Sequence, residues 1–162
     1  MGKKINIELA KNIKLEGDDN NIYSLNDFKA QKLILYFYTI DEAPGCAIIC
    51  QDFSSMYERF KEYNTVVIAC STSHVGSKQN FKKEYNFKQL FLSDIKLELS
   101  KALNVYEEKV NEDGTKKTYI VPSTFIFEES GKLLFSRYDI NYQDEALTCF
   151  NIIKEQSKKE TN

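Results

Sequence analysis

Two short stretches, Leu33-Ile-Leu-Tyr-Phe-Tyr38 and Thr65-Val-Val-Ile-Ala-Cys70, are apolar at almost every position and rich in β-branched and aromatic residues. Successive side chains of a strand point to opposite faces, so a strand without polar alternation has both faces covered. That requirement implies a parallel sheet clad by helices on either side. Between the two runs, Ile49, Phe53, Met56, Tyr57 and Phe60 fall at spacings of four and three. This spacing predicts one helix from about Cys46 to about Tyr63.

The remaining segments fit around this pair. Ile5–Asn12 is mildly apolar and reads as an edge element or loop, and the residues flanking Gly17-Asp-Asp-Asn-Asn21 read as a strand–turn–strand hairpin. Ser77 is placed to cap a helix running through Tyr85, and Leu90-Phe-Leu92 makes a brief strand. Asp94 is placed to open a helix with Ile95, Leu99 and Leu103 on its apolar face, and Asn111–Gly114 reads as a turn. Ser123–Phe127 and Leu133–Tyr138 form a hairpin across Glu128–Lys132, and Gln143–Lys158 is a closing amphipathic helix with Leu147, Phe150 and Ile153 inward. The sum is an α/β protein with a mixed central sheet flanked by helices. Its 162 residues suit a single domain over 1–162, with a solvated tail from about position 158.

Charge narrows the function. The 22 basic and 24 acidic side chains are interleaved and leave a net charge of −2, which argues against a nucleic-acid partner. The longest apolar run is far too short for a membrane span, and Met1-Gly-Lys-Lys-Ile5 offers no apolar stretch of signal-peptide length. Asn6 stands where myristoylation wants Ser or Thr, so the expected address is the cytoplasm. A single histidine leaves no zinc-ligand set, and the 21 Tyr and Phe residues read as core filling. Neither a metal nor a cofactor is expected.

Four cysteines, at 46, 50, 70 and 149, are too few and too unevenly spaced for a secreted disulfide framework. Open α/β sheets place their sites beyond the carboxyl ends of the parallel strands. Cys46 follows the first such end and falls in the first turn of the long helix. Backbone N–H groups there lack intrahelical partners and carry partial positive charge, so a thiolate is stabilised at that end. Asp41 and Glu42 oppose it if they face the sulfur. Cys70 closes the second strand and Cys149 lies on the closing helix as a core residue. His74, in the loop after Cys70, reads either as a base for Cys46 or as a solvated surface residue.

The segment Leu35-Tyr-Phe-Tyr-Thr-Ile-Asp-Glu-Ala-Pro-Gly-Cys46 resembles the active-site segment of peroxiredoxins of the bacterioferritin-comigratory-protein, or peroxiredoxin Q, type within the AhpC/TSA group. Tyr23-Ser-Leu-Asn-Asp-Phe-Lys29, Val67-Ile-Ala-Cys-Ser-Thr-Ser73, Phe81-Lys-Lys-Glu-Tyr85, Phe91-Leu-Ser-Asp94 and Pro122-Ser-Thr-Phe-Ile126 follow in the family's order and spacing. The resemblance implies a thioredoxin-like fold and a thiol peroxidase acting on hydrogen peroxide or organic hydroperoxides. Cys46 would attack the peroxide and become a sulfenic acid. A disulfide would follow, reduced by thioredoxin or a similar dithiol, in a monomer or weak dimer. Substrate-pocket positions carried over are Thr39, Ala43, Pro44, Gly45 and Pro122.

Three of these depart from the family pattern. Thr39 replaces a proline, Ala43 replaces a Thr or Ser whose hydroxyl orients the peroxide, and Pro122 replaces an arginine. Only two arginines exist, and Arg59 lies too far along the Cys46 helix to reach the sulfur, whereas Arg137 sits on a neighbouring hairpin strand. The family's resolving cysteine, when it lies in this helix, is five residues on; here Cys50 is four on and Gln51 takes the usual place. Cys50 is thus the candidate resolver, with Cys70 in reserve. Two other readings stay open: a thioredoxin-like thiol–disulfide oxidoreductase, if Pro122 is a cis-proline facing the cysteine, or an inactive thioredoxin-fold binding domain.

Overall fold

A computed structural model describes residues 4–43 and 45–161 of the chain. Both apolar runs are strands with every β3 side chain buried: β3 spans Lys32–Phe37 and β4 spans Thr65–Ser71, paired in parallel from Lys32↔Thr65 to Phe37↔Cys70. With β1 (Leu15–Gly17), β2 (Ile22–Tyr23), β5 (Leu90–Ser93), β8 (Ser123–Phe127) and β9 (Leu133–Tyr138) they form a seven-stranded mixed sheet in the order β2-β1-β5-β4-β3-β8-β9. β3, β4 and β5 run parallel; β1, β8 and β9 pair antiparallel with their neighbours.

The absence of alternation in β3 has the expected cause. Ile34, Tyr36 and Tyr38 enter one core, and Leu33, Leu35 and Phe37 enter the other on the opposite face. The first core is roofed by α2 (Cys46–Ser55), α3 (Tyr57–Lys61), α4 (Val75–Tyr85) and α6 (Glu145–Glu160). Tyr36 stacks on Phe53 of α2 with ring centroids 4.4 Å apart, and Phe53 stacks in turn on Phe60 of α3. The second core lies beneath α1 (Ile7–Asn12) and α5 (Glu98–Ala102) and holds Ala10, Leu99 and Ala102 with Leu103, Val105 and Ile120.

Several expected elements differ. The segment read as an edge or loop at 5–12 is the short helix α1, opened by the Asn6 carboxamide accepting from Leu9 N–H. The helix expected over 46–63 is two helices, interrupted at Met56, where φ −101° and ψ 3° leave the helical region. His74, not Ser77, caps α4: its Nδ1 accepts from the Ser77 N–H at 3.2 Å. Asp94 does set the α5 segment, but from outside it, accepting from Leu99 N–H, Ser100 N–H and the Ser100 hydroxyl, so the helix itself opens at Glu98. Ile95, expected inward, is 57% exposed, and Leu147 on α6 is 49% exposed. The turn at 111–114 joins a two-stranded ribbon, β6 (Tyr106–Val110) with β7 (Lys116–Ile120), separate from the main sheet. The tail expected from 158 is still helix through Glu160, whose carboxylate pairs with the buried Lys32 ammonium at 3.2 Å. Arg59 rests its guanidinium over the Phe150 ring at 4.5 Å, bracing α3 against α6.

Because Phe53 ties α2 to both the sheet and α3, Phe53→Ala should cost about 3–5 kcal/mol of unfolding free energy, read as a lower urea midpoint. A loss under 1 kcal/mol would show that α2 is anchored elsewhere.

Candidate active site

The loop after β3 delivers Cys46 to the carboxyl ends of the parallel strands. Tyr38 N–H bonds the Cys70 carbonyl at 3.2 Å, extending the β3–β4 pairing by one residue before the chain turns away. The next tie is Asp41, whose side chain is wholly buried. Its carboxylate accepts from the Tyr38 hydroxyl at 2.5 Å, the Ser71 hydroxyl at 3.1 Å, the Ser77 hydroxyl at 2.7 Å and the Lys78 ammonium at 3.2 Å. Its backbone N–H donates to Ser73 Oγ at 3.1 Å. Lys78 is itself fully buried and donates further to the Ser71 and Tyr38 hydroxyls. Burial pulls the Lys78 ammonium toward its neutral form, and the Asp41 charge opposes that pull. Asp41 therefore faces α4 and β4, where all of these donors converge on it. Glu42 is exposed and turns the chain with φ +65°.

Gly45 caps α2 with φ +88°, a left-handed conformation that glycine adopts without penalty. A Cβ added there would lie 3.0 Å from Cδ2 of Tyr142, so the chain and that ring are in close contact. Cys46 opens α2, and its sulfur is completely buried. Among the described residues its polar partners are two hydroxyls, Thr39 Oγ1 at 3.2 Å and Tyr142 Oη at 3.6 Å. The Thr39 N–H also donates to the Tyr142 hydroxyl, at 3.4 Å. Thr39 and Ala43 line a cavity of about 310 Å³ with Ile40, Thr72, Leu97 and Tyr119.

Cys50 lies one turn on, buried in the same core. Burial pushes its thiol well up, with the Tyr36 hydroxyl acting the other way. Gln89 locks this turn by donating from Nε2 to both the Cys50 carbonyl, at 2.9 Å, and the Tyr36 hydroxyl, at 2.8 Å. Cys70 faces the other core, so the sheet separates it from Cys46 and removes it as a reserve resolver. Cys149 is buried on α6, as expected of a core residue. All four cysteines are free thiols.

The other sequence candidates fall as follows. Pro44 lies outside the described residues. Pro122 lines a separate depression with Glu107, Lys109 and Asp139 rather than the Thr39–Ala43 cavity. No described peptide bond is cis, Val121–Pro122 included, so the cis-proline that favoured the oxidoreductase reading is absent. Arg137 pairs with the buried Glu145 carboxylate instead of the sulfur. His74 is an exposed residue, as the surface reading has it, and its Nδ1 caps α4 rather than serving Cys46 as a base. Lys78 and Tyr142 carry no signal in the sequence: one reads as a surface lysine, the other lies 96 residues from Cys46.

A buried cysteine at a helix start, beyond parallel strands and beside an open cavity, defines a thiol-dependent redox protein of thioredoxin-like architecture. Residues 8–136 match the AhpC/TSA family model, and the chain belongs to that family. It is 30% identical to Peroxiredoxin Bcp of Bacillus subtilis over 150 residues, covering 93% of this chain and 95% of that protein. It is 32% identical to a putative peroxiredoxin bcp of Helicobacter pylori over 141 residues, covering 86% and 91%. The crystal structure of a cysteine-to-serine mutant of Xylella fastidiosa PrxQ matches with a TM-score of 0.88 at 25% identity, covering 96% and 99%.

Removing one partner of a buried ion pair leaves the other charge uncompensated. Lys78→Met should therefore lower stability by about 3–5 kcal/mol in urea titration. Adding Asp41→Asn should recover at least half of that loss; a double mutant no more stable than the single one would mean the pair is not the anchor.

Proposed function

We propose that this thiol peroxidase uses Cys46 as its attacking thiolate and Cys50 as its resolving thiol. The observation that carries the reading is the Cys46 sulfur in the first turn of α2, held by two hydroxyls, one of which belongs to a cavity-lining residue. The thiolate attacks the terminal peroxide oxygen; an S–O bond forms, the O–O bond breaks, and the leaving oxygen departs as water or an alcohol after protonation. The sulfur loses two electrons and the peroxide gains them. Cys50 then attacks the sulfenic sulfur, forming a disulfide and releasing water. A protein dithiol of the thioredoxin type returns both cysteines to thiols. The mostly apolar cavity wall of Ile40, Ala43, Leu97 and Ile120 suits an organic hydroperoxide as well as hydrogen peroxide. Exposed Ile40 and Ile48 flank the site and suit contact with the reductant. A thiol cycle of this kind suits a reducing compartment such as the cytoplasm, and a monomer or weak dimer suffices for a pathway confined to one chain.

Resolution requires α2 to open. Residues four apart on a helix have Cβ atoms about 5–6 Å apart, whereas a disulfide needs about 3.5–4.5 Å. The first turn or two must unwind, releasing Ile48 and Ile49. Unwinding also hydrates Cys50, relieving the burial that holds its thiol protonated.

Cys46→Ser should abolish peroxide consumption in a thioredoxin-coupled assay while leaving the far-UV circular dichroism unchanged. Stoichiometric peroxide followed by non-reducing peptide mapping should give the Cys46–Cys50 disulfide. An intact Cys50 thiol after oxidation would exclude it as resolver. Turnover by the Ser variant would exclude Cys46.

A further inference from the structure

We infer that Tyr142 and Thr39 are catalytic residues of this chain: together they form the donor pair that steadies the attacking sulfur and the leaving peroxide oxygen. The inference rests on Cys46 as the attacking sulfur. The positions from which polar help for the sulfur is expected do not supply it. Ala43 has no hydroxyl, Pro122 has no guanidinium, and the Arg137 guanidinium is bonded to Glu145. The sulfur instead meets Thr39 Oγ1 and Tyr142 Oη, at 3.2 and 3.6 Å.

The two hydroxyls are organised as a unit. Thr39 presents its side chain to the sulfur and its backbone N–H to the Tyr142 oxygen, at 3.4 Å. A proline at 39 would have no N–H to offer, so the threonine supplies both links. With its oxygen accepting from Thr39 N–H, the Tyr142 hydroxyl has its own proton free to aim at the reaction centre. The ring is set by its packing on the Cβ-less face of Gly45, at the very start of the helix that carries Cys46. Burial raises the phenol above its ordinary range, and its contact with Cys46 adds to this, so the hydroxyl keeps its proton at neutrality and acts as a donor.

The step balances. As Cys46–S⁻ takes the terminal oxygen of R–O–OH, the S–OH bond forms and the O–O bond breaks, leaving R–O⁻. Tyr142 passes its hydroxyl proton to that oxygen, giving R–OH, and the phenolate recovers a proton from water, which reaches the half-buried ring. An alkoxide or hydroxide is a stronger base than a phenolate, so the transfer runs downhill. Thr39 Oγ1 holds the sulfur in line throughout.

The test compares two reactions of the same sulfur in the full chain: oxidation by hydrogen peroxide and alkylation by iodoacetamide, which expels no oxygen. Tyr142→Phe keeps the ring and its packing while removing the hydroxyl. It should slow the second-order oxidation of Cys46 by roughly 100-fold, the usual effect of losing one preorganised donor, with alkylation changed less than about fivefold. Thr39→Val should slow oxidation by a similar factor, and Thr39→Ser should restore it to near the wild-type rate. Oxidation unchanged in Tyr142→Phe, or oxidation and alkylation falling by the same factor, would overturn the inference. If instead wild-type Cys46 itself reacts with peroxide no faster than free cysteine, the peroxidase reading fails first, and the two failures are distinct.

Discussion

The placement of the Cys46 sulfur depends on one carboxylate that has been taken out of water. The loop from Thr39 to Gly45 leaves the sheet, bends through the positive-φ residue Glu42 and enters α2 through a left-handed glycine. Among the described residues of that path, no strand pairing continues beyond Tyr38. Asp41 fixes the path. An ion moved into the interior loses several kcal/mol of hydration, and only well-placed partners offset that loss. Here the partners come from three different elements: Tyr38 at the end of β3, Ser71 at the end of β4, and Ser77 and Lys78 on α4. The cost of burial thus turns into geometric definition, because leaving those partners would strand the Asp41 charge. That arrangement points its neighbour Thr39 at the Cys46 sulfur.

Legibility in the sequence followed how strongly each residue's neighbours were constrained. β3 and β4 were readable because a strand covered on both faces must be apolar throughout. Cys46 at a helix start was readable because Pro44 and Gly45 precede a 3.6-residue pattern. β6 and β7 were not readable: their side chains are mostly exposed on both faces, so no alternation marks them. The break at Met56 was hidden because the apolar spacing continues across it, from Phe53 to Phe60, with both residues still in one core. Ile95 and Leu147 fit the helical spacing yet face outward, a reminder that an apolar residue on the surface carries little information.

The polar half of the site was harder still. Lysine is rarely buried unless paired, so Lys78 reads as surface until the Asp41 carboxylate is seen beside it. Tyr142 approaches from the loop between β9 and α6, and no local pattern links it to Cys46. His74 drew attention as the only histidine, yet its ring serves the backbone of α4. Side-chain chemistry alone marks which residues are able to react; tertiary placement decides which of them meet the sulfur.

The same core that buries Cys46 must yield for the proposed Cys46–Cys50 disulfide to form, and the architecture confines what yields. α2 is only ten residues long and ends at Met56, so fraying from its first turn has no continuous helix along which to spread. Phe53 sits in the last turn, stacked on Tyr36, while Cys46 and Cys50 occupy the first two. Opening breaks the backbone hydrogen bonds of those turns, which water replaces, and the tertiary bond from Gln89 to the Cys50 carbonyl. Gln89 already shares a single nitrogen between two acceptors and leaves its own carbonyl oxygen without a partner. A net hydrogen bond is worth about 0.5–1.5 kcal/mol, and water entering the opened turn replaces it and satisfies that orphaned oxygen. The Phe53 anchor, worth several times more, remains in place. Local opening of the amino-terminal half of α2 is therefore much cheaper than release of the whole helix, and the two sulfurs lie within the half that opens.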